Sequence, residues 1–167
     1  MEKQVQEIIE KLEMKKHPEG GFYKETYRSV GVIPQNVLKG SFSGNRNYCT
    51  AIYFLLTSEN FSAFHRIKQD EIWHFYKGNS LYIHEINKKG EYIRHELGMD
   101  LSKGELPQLV IPAGSWFASG VKSMKGYSFV GCTVSPGFDF EDFEMAEREV
   151  LVREYPRYKD VIVEYTR

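Results

Sequence analysis

The sequence contains few of the features that mark several large classes of protein. Only two of its 167 residues are cysteines, and because Cys49 and Cys132 both lie in apolar runs, we expect neither a disulfide framework nor a CxxC site. No apolar run approaches the roughly 20 residues that span a bilayer. The charged start "MEKQVQEIIEKLEMKK" lacks the apolar core of a signal peptide. We therefore expect a cytoplasmic protein without a membrane partner.

Excess charge and the common nucleotide-binding motifs are also missing. The formal net charge is −1 at pH 7, and Lys and Arg are spread evenly, so we predict no surface for nucleic acid. The sequence has no GxGxxG fingerprint, no P-loop and no GxSxG nucleophile elbow. It therefore offers none of the usual signals for a nucleic acid partner or for those enzyme classes.

Aromatic residues are plentiful at 14% of the chain, and they occur together with β-branched residues. The run "YCTAIYFLL" is typical of a strand that is covered on both faces. Further short strand candidates follow at regular spacing, with turn signals such as "KGN" and "KKG" between them. This pattern predicts one all-β domain over residues 1–167, with a sandwich or barrel over about residues 22–135.

Helical patterns occur only at the two ends. Apolar residues spaced as on one helix face, beginning at Val5, predict a helix over residues 2–15 that ends before "HPEGG". Past Pro136, helical periodicity predicts a short helical segment over about residues 140–165. Within it, "VIVEY" fits a helix or a strand. The acidic stretch "FDFEDFE" is interpreted either as the lead-in to a helix or as a lid over the mouth of the barrel.

One stretch, "HRIKQDEIWHFYKG", resembles the first motif of the cupin superfamily, H-x-H-x(3,4)-E-x(6)-G. His65, Ile67, Glu71 and Gly78 fall in its register. The stretch "PAGSWF", which starts at Pro112, resembles the second motif, P-x-G-x(2)-H. "HPEGGFYKETYRS" and "SPGFDFEDFEMA" are similar to segments of a small single-domain branch whose function is unknown. The likeness runs from residue 17 to about residue 155.

This resemblance implies a cupin jelly-roll barrel, or double-stranded β-helix, with a ligand cavity at its mouth. It also implies a homodimer, in which "FYKETYRS" would pair with the partner's sheet edge. Metal-binding cupins use three His and one Glu, but here Ile67 and Phe117 occupy two of those four positions. His65 and Glu71 remain, whereas catalytic zinc sites typically keep about three protein ligands. We predict no cofactor, with a divalent metal on His65 and Glu71 as the alternative.

The metal-free dTDP-4-dehydrorhamnose 3,5-epimerases of the superfamily use a histidine base, a carboxylate behind it and a tyrosine acid. This chain is similar in its one histidine at the first-motif position. The resemblance makes His65 the candidate base, Glu71 its orienting group and Tyr76 the candidate acid. Strand alternation also directs His65 and Glu71 to one face, where a buried carboxylate needs a partner. Those epimerases carry Arg-Gly before the histidine, whereas this chain has Ala63-Phe64, so the substrate stays open.

A second set of candidates comes from the strand pattern of "FYKETYRS". Alternation puts Tyr23, Glu25 and Tyr27 on one face and Lys24 and Arg28 on the other. We expect the tyrosine face to point inward, because two buried cations cost more than two phenols. The residues predicted to contact a ligand are Glu25, Tyr27, Tyr53, Trp73, Trp116, Phe117 and Tyr127.

The sequence thus predicts a cavity for a small polar ligand, with three functional hypotheses. The first is a metal-free isomerase or epimerase of carbohydrate or sugar-nucleotide type, with His65 as the base. The second is a non-catalytic module that binds or senses a small ligand. The third is a metal-dependent enzyme with a degenerate ligand set.

Overall fold

Antiparallel β-strands make up most of the fold. A computed structural model describes residues 3–40 and 42–167. The strands are β1 (Lys15–Lys16), β2 (Phe22–Arg28), β3 (Val32–Ile33), β4 (Arg46–Asn47), β5 (Thr50–Thr57), β6 (Phe61–Arg66), β7 (Asp70–Gly78), β8 (Leu81–Ile86), β9 (Tyr92–Leu97), β10 (Gln108–Ile111), β11 (Trp116–Val121), β12 (Tyr127–Ser135) and β13 (Glu144–Met145). The helices are α1 (Lys3–Lys11), α2 (Arg148–Glu154) and α3 (Lys159–Glu164).

The strands form two sheets that pack face to face. One sheet has the order β1-β2-β5-β12-β7-β10, the other has the order β13-β6-β11-β8-β9, and β3 pairs with β4 in a short ribbon. The central pairs β5–β12, β12–β7 and β11–β8 are antiparallel. The predicted all-β jelly roll is therefore confirmed.

The main core lies between the two sheets. Phe54 and Trp73 meet edge to face with ring centroids 5.9 Å apart, and Phe117 meets Trp73 in the same way at 6.4 Å. All three are about 1% exposed, and burial of side chains of this size contributes roughly 2–3 kcal/mol each. Inward residues at alternate positions of β5, β7, β11 and β12 thus hold the sheets together and leave the space beside them for a cavity.

The helices cover the outer faces of the sheets. The helix α1 packs Val5 against Leu55 and Tyr127 on the outer face of the sheet that contains β5. It ends at Lys11, because the chain turns at Glu13, whose φ is 52°. The predicted span of 2–15 was therefore too long at its C-terminal end, and residue 2 lies outside the described residues.

The C-terminal segment is less helical than predicted. Leu151 of α2 and Ile162 of α3 pack on the outer face of the other sheet, so the start of "VIVEY" is helical. Residues 144–145, however, form β13, in which Met145 pairs with His65 of β6. This pairing interrupts the predicted segment of 140–165 and brings Phe143 next to the His65 ring, 5.2 Å between centroids.

Candidate functional site

A cavity of about 440 Å³ lies between the two sheets. Its wall is formed by the loop before β2, by strands β2, β5, β6, β7 and β12, and by the segment after β12. The lining residues are His17, Glu19, Tyr23, Glu25, Arg28, Thr50, Ile52, Phe54, His65, Ile67, Glu71, Cys132, Val134, Phe138, Asp139, Phe140 and Phe143. The size is that of a small-molecule site, and the wall is mostly apolar with a few polar groups.

His65 is held by two groups of the protein, one at each ring nitrogen. Nδ1 lies 2.7 Å from the carbonyl oxygen of Ala63, and Nε2 lies 3.1 Å from Oε2 of Glu19. His65 is 2% exposed and Glu19 is 6% exposed. The predicted partner of His65 was Glu71, but within residues 3–40 and 42–167 the carboxyl group that contacts its ring is that of Glu19.

The geometry around His65 determines where the protons are. A carbonyl oxygen only accepts hydrogen bonds, so Nδ1 carries a proton and donates it to Ala63. Nε2 and Oε2 of Glu19 then need one more proton between them. Burial lowers the pKa of His65 to about 4, although the bond to Ala63 opposes this change. Burial also raises the pKa of Glu19. Both directions favour a neutral pair, in which the carboxylic acid donates to the imidazole.

Glu19 is fixed by further contacts in the same loop. Its Oε1 accepts a hydrogen bond from the Ser62 hydroxyl at 2.8 Å. Its Oε2 lies 3.4 Å from Nδ1 of His17, which also accepts a long hydrogen bond from the Glu19 backbone N–H. Because Nδ1 of His17 is an acceptor, His17 is neutral in this arrangement. Burial lowers the pKa of His17, which agrees with that assignment.

Glu71 is the second buried carboxyl group of the cavity. Burial raises its pKa to about 8, the nearby Glu19 carboxyl adds to the rise, and a hydrogen bond with Cys132 opposes it. Glu71 is therefore mainly protonated at neutral pH. A carboxylic acid in such an environment can donate a proton or a hydrogen bond to a ligand, and strongly shifted groups of this kind are typical of functional sites.

A β-bulge decides which residues of β2 face the cavity. The pairing of β2 with β5 shifts between Glu25 and Tyr27, because a bulge adds one residue and reverses the alternation beyond it. Tyr23, Glu25 and Arg28 therefore line the cavity, whereas Tyr27 is 55% exposed. The expectation that Tyr27 faces inward and Arg28 outward was wrong. Arg28 binds Glu25 through two hydrogen bonds of 2.9 and 2.7 Å.

Three phenylalanines of the segment after β12 close one side of the cavity. Phe138, Phe140 and Phe143 line it, and the segment forms a 3₁₀ turn at residues 140–142. The turn is anchored by Asp142, whose carboxylate binds Arg46 at 2.6 and 2.8 Å in a buried pair. The "FDFEDFE" stretch therefore covers the cavity and is tethered to the rest of the fold.

Several predicted site residues do not line the cavity. Tyr76 lies five positions from Glu71, so alternation turns it to the outer face of β7, where it is 50% exposed. Tyr53 neighbours the inward Phe54 and therefore also points outward, toward the side that α1 covers. Tyr127 belongs to the same outer cluster. The phenol that does line the cavity is Tyr23.

The remaining aromatic candidates are structural. Trp73 and Phe117 face inward but belong to the main core, and Phe117 supports the His65 ring at 4.1 Å between centroids. Trp116 lies under the C-terminal helices, with the Arg66 guanidinium 4.3 Å above its ring. Of the predicted residues, the structure thus brings together His65, Glu71 and Glu25.

Sequence reasoning missed Glu19 and His17, although "HPEGG" contained a signal. The two glycines take positive φ angles of 121° and 71°. A Cβ atom on Gly20 would lie 2.0 Å from the carbonyl oxygen of Phe61, so only glycine permits this close approach. The approach brings the Glu19 loop against β6 and thus Glu19 onto His65.

The residues do not fit the metal site that the fold family implies. Ile67 lines the cavity and Phe117 packs on His65, and neither side chain can donate an electron pair to a metal. Within the described ranges 3–40 and 42–167, no group of three or more His, Cys, Asp or Glu is arranged to hold a metal ion. We therefore derive no chemistry through a metal.

Comparison with known proteins places the fold in a family. A family model described as "Cupin superfamily (DUF985)" matches residues 6–146. The chain belongs to the cupin superfamily. This cupin is 31% identical over 154 residues to the uncharacterized protein YML079W of Saccharomyces cerevisiae, with 87% of this chain and 76% of that protein covered.

Solved structures agree with this assignment. The protein SO0799 from Shewanella oneidensis is 42% identical, with 96% of each chain covered and a TM-score of 0.85. Oxalate decarboxylase of Bacillus subtilis matches with a TM-score of 0.55 at 14% identity, over 91% of this chain and 37% of that chain. That last likeness concerns the fold alone.

No helix within residues 3–40 and 42–167 has the length and apolar character needed to cross a membrane.

Proposed function

We propose that this cupin binds a small polar organic molecule in the cavity and moves a proton on it without a metal, as an isomerase or epimerase of carbohydrates does. One observation carries the proposal. Glu19, His65 and Glu71 all line one cavity of about 440 Å³, and burial raises the pKa of both carboxyl groups and lowers the pKa of the imidazole. Two proton-carrying sites in a mostly apolar cavity suit the transfer of a proton from one carbon and its return to another.

The roles follow from the hydrogen bonds. A ligand that displaces Glu19 from Nε2 lets His65 take a proton from a carbon next to a carbonyl group. Glu71 donates its own proton to the carbonyl oxygen, which yields a neutral enediol. The protonated His65 then returns its proton to the other carbon, or to the other face of the same carbon, while an enediol hydroxyl group gives its proton back to Glu71 and becomes the carbonyl group. Glu19 takes the orienting role that the sequence suggested for Glu71, and Glu71 takes the acid role suggested for Tyr76.

Deuterium exchange tests this function. The protein is incubated in D₂O with a panel of aldoses, ketoses and their phosphorylated forms, and NMR detects deuterium at the carbon next to the carbonyl group. We expect exchange that Glu71→Gln and His65→Asn reduce by about a hundredfold or more. Tyr76→Phe is the matched control, because it removes a hydroxyl group outside the cavity. Exchange that persists in both cavity variants would contradict the proposal.

A non-catalytic binding module is the second candidate, and a specific observation favours it. Both nitrogens of His65 already have partners within the protein, so a ligand that leaves them in place would find no free base. Native mass spectrometry that finds a co-purified molecule, without turnover of that molecule by the purified protein, would support the binding module and count against the isomerase.

We also propose a homodimer that pairs through β2. Among the described residues, β1 pairs with β2 only at Phe22 and Tyr23. Exposed apolar residues lie farther along β2 and just after it. Tyr27, Val30 and Val32 are 55%, 99% and 48% exposed. Light scattering should give twice the monomer mass of 19.5 kDa. A value near the monomer mass across the micromolar range would rule the dimer out.

A further inference from the structure

A second groove, of about 680 Å³, lies next to the cavity. The two share Ile67 and Phe143 as lining residues. Ile67 and Phe143 therefore form part of the wall between the groove and the cavity. A ligand that fills the cavity and extends past Phe143 would enter this groove.

The groove has more positive than negative charge once its ion pairs are counted. Its lining includes Lys39, Arg66, Lys68 and Lys88. Of these, Arg66 is already paired with Glu144 at 2.7 Å. The three lysines add positive charge to the groove.

The carboxylates of the groove are largely neutralised by other cations. Asp142 is held by the buried Arg46 at 2.6 Å and lies 3.5 Å from Lys68. Glu141 lies 3.7 Å from the same Arg46. Among the residues that the structure describes, Lys39 and Lys88 form no ion pair. The groove therefore attracts an anion.

Lys88 is directed into the groove by the backbone beneath it. Gly114 takes a φ of 76°, and a Cβ atom there would lie 2.7 Å from Cε of Lys88. The lysine stem thus lies flat on a surface that only glycine leaves open. Gly114 in turn donates its N–H to the carbonyl of Ile67 at 2.8 Å. The turn at Gly114, on which the Lys88 side chain lies, is therefore hydrogen-bonded to Ile67, which lines both the groove and the cavity.

We propose that this groove binds the phosphate group of an extended ligand whose uncharged polar part occupies the cavity. Several lysines around one site suit a multiply charged tetrahedral anion, whereas a single carboxylate is typically bound by a free arginine fork. Arg66, the arginine that lines the groove among residues 3–40 and 42–167, is already paired. This inference rests on the proposed function, because it names the class of substrate as phosphorylated small molecules.

Titration with inorganic phosphate tests the groove by itself. Calorimetry at low ionic strength compares the wild-type chain with Lys88→Gln and with the double variant Lys68→Gln/Lys88→Gln. We expect saturable binding in the millimolar range that weakens about threefold in the single variant and about tenfold in the double variant. Lys89→Gln is the matched control, since it removes a neighbouring exposed charge that does not line the groove.

Three outcomes would overturn the groove proposal. They are no saturable phosphate binding by the wild type, equal affinity in the double variant, and an equal loss in Lys89→Gln, which would indicate diffuse surface attraction. Glu71→Gln should leave phosphate binding unchanged. If the proposed proton chemistry is wrong, deuterium exchange will be as fast in Glu71→Gln as in the wild type, whatever the result of the phosphate titration. The two failures are therefore distinguishable.

The link between groove and cavity has its own measurement. Within the sugar panel, phosphorylated compounds should bind at least about tenfold tighter than their unphosphorylated counterparts. This advantage should disappear in Lys68→Gln/Lys88→Gln. An advantage that is absent in the wild type, or that survives in the double variant, would show that one ligand does not span both spaces.

Discussion

This cupin should lose stability in mild alkali, and replacement of Glu71 by Gln should abolish most of that loss. The folded protein holds a proton on Glu71 up to a pKa of about 8, whereas the ordinary pKa of a glutamate side chain, as in the unfolded chain, is 4.5. A group that keeps its proton better when folded stabilises the fold fully below its unfolded pKa. That contribution is lost as the pH rises through the folded pKa, because the unfolded chain gains by releasing the proton.

The size of the effect follows from the two pKa values. Between about pH 6 and about pH 8.5, linkage gives a loss of roughly 2–3 kcal/mol in the free energy of unfolding of the wild type. Glutamine has nearly the same shape, can still accept a hydrogen bond from Cys132 and does not ionise. The Glu71→Gln variant should therefore lose less than about 1 kcal/mol over the same range.

Urea denaturation followed by tryptophan fluorescence measures the difference, with a reductant present to protect Cys132. Glu59→Gln serves as the control, because it removes a carboxylate from an exposed position and should keep the full loss. The reasoning would be refuted if Glu71→Gln lost as much stability as the wild type. That result would mean that Glu71 is already ionised at neutral pH, and its proposed role as an acid would fall with it.

Three further predictions concern other parts of the molecule. Asp142→Asn takes from the buried Arg46 the carboxylate that binds it at 2.6 and 2.8 Å and should cost about 3 kcal/mol in urea denaturation. Glu144→Gln, which breaks an exposed pair, should cost less than about 1 kcal/mol. On the acid side, the unfolded chain protonates His65 and His84 near pH 6.5, but the folded protein does so only near pH 4. The free energy of unfolding should therefore fall by roughly 1–3 kcal/mol per histidine between about pH 6.5 and pH 4. An equally large fall in His65→Asn/His84→Asn would contradict this. The double variant Ile67→His/Phe117→His restores the ligand types that the family motif has at those positions, so we expect about one zinc ion per chain by elemental analysis, and a metal content equal to that of the wild type would count against the equivalence of these positions.

The strand pattern accounts for much of what could be predicted. Period-two alternation and regularly spaced turns predicted a sandwich or barrel, because alternation directly specifies which side chains two packed sheets can bury between them. The resemblance to cupins specified the jelly roll. The same alternation placed His65, Ile67 and Glu71 along one cavity. His74, an odd number of positions from Glu71, follows the same alternation: its Nε2 lies 3.0 Å from Oγ1 of Thr133, away from the cavity.

Local periodicity fails where a strand is irregular. Because of the bulge in β2, Arg28 rather than Tyr27 lines the cavity. The residues of "FYKETYRS" do not predict the bulge, because the extra residue shows only in the pairing with β5. At Tyr76 the alternation agrees with the structure, because position 76 has the opposite parity to Glu71 and its side chain lies on the outer face of β7.

By itself, the sequence determined the fold, the side of the strands that carries His65 and Glu71, and the loss of two metal-ligand positions at Ile67 and Phe117. Only the tertiary structure decided that Glu19, 46 positions before His65, would be its partner. Contacts between distant segments depend on where the two glycines after Glu19 let the backbone pass against β6. A buried carboxyl group takes its protonation state from such neighbours, so the chemistry of this cavity follows from packing that no local pattern records.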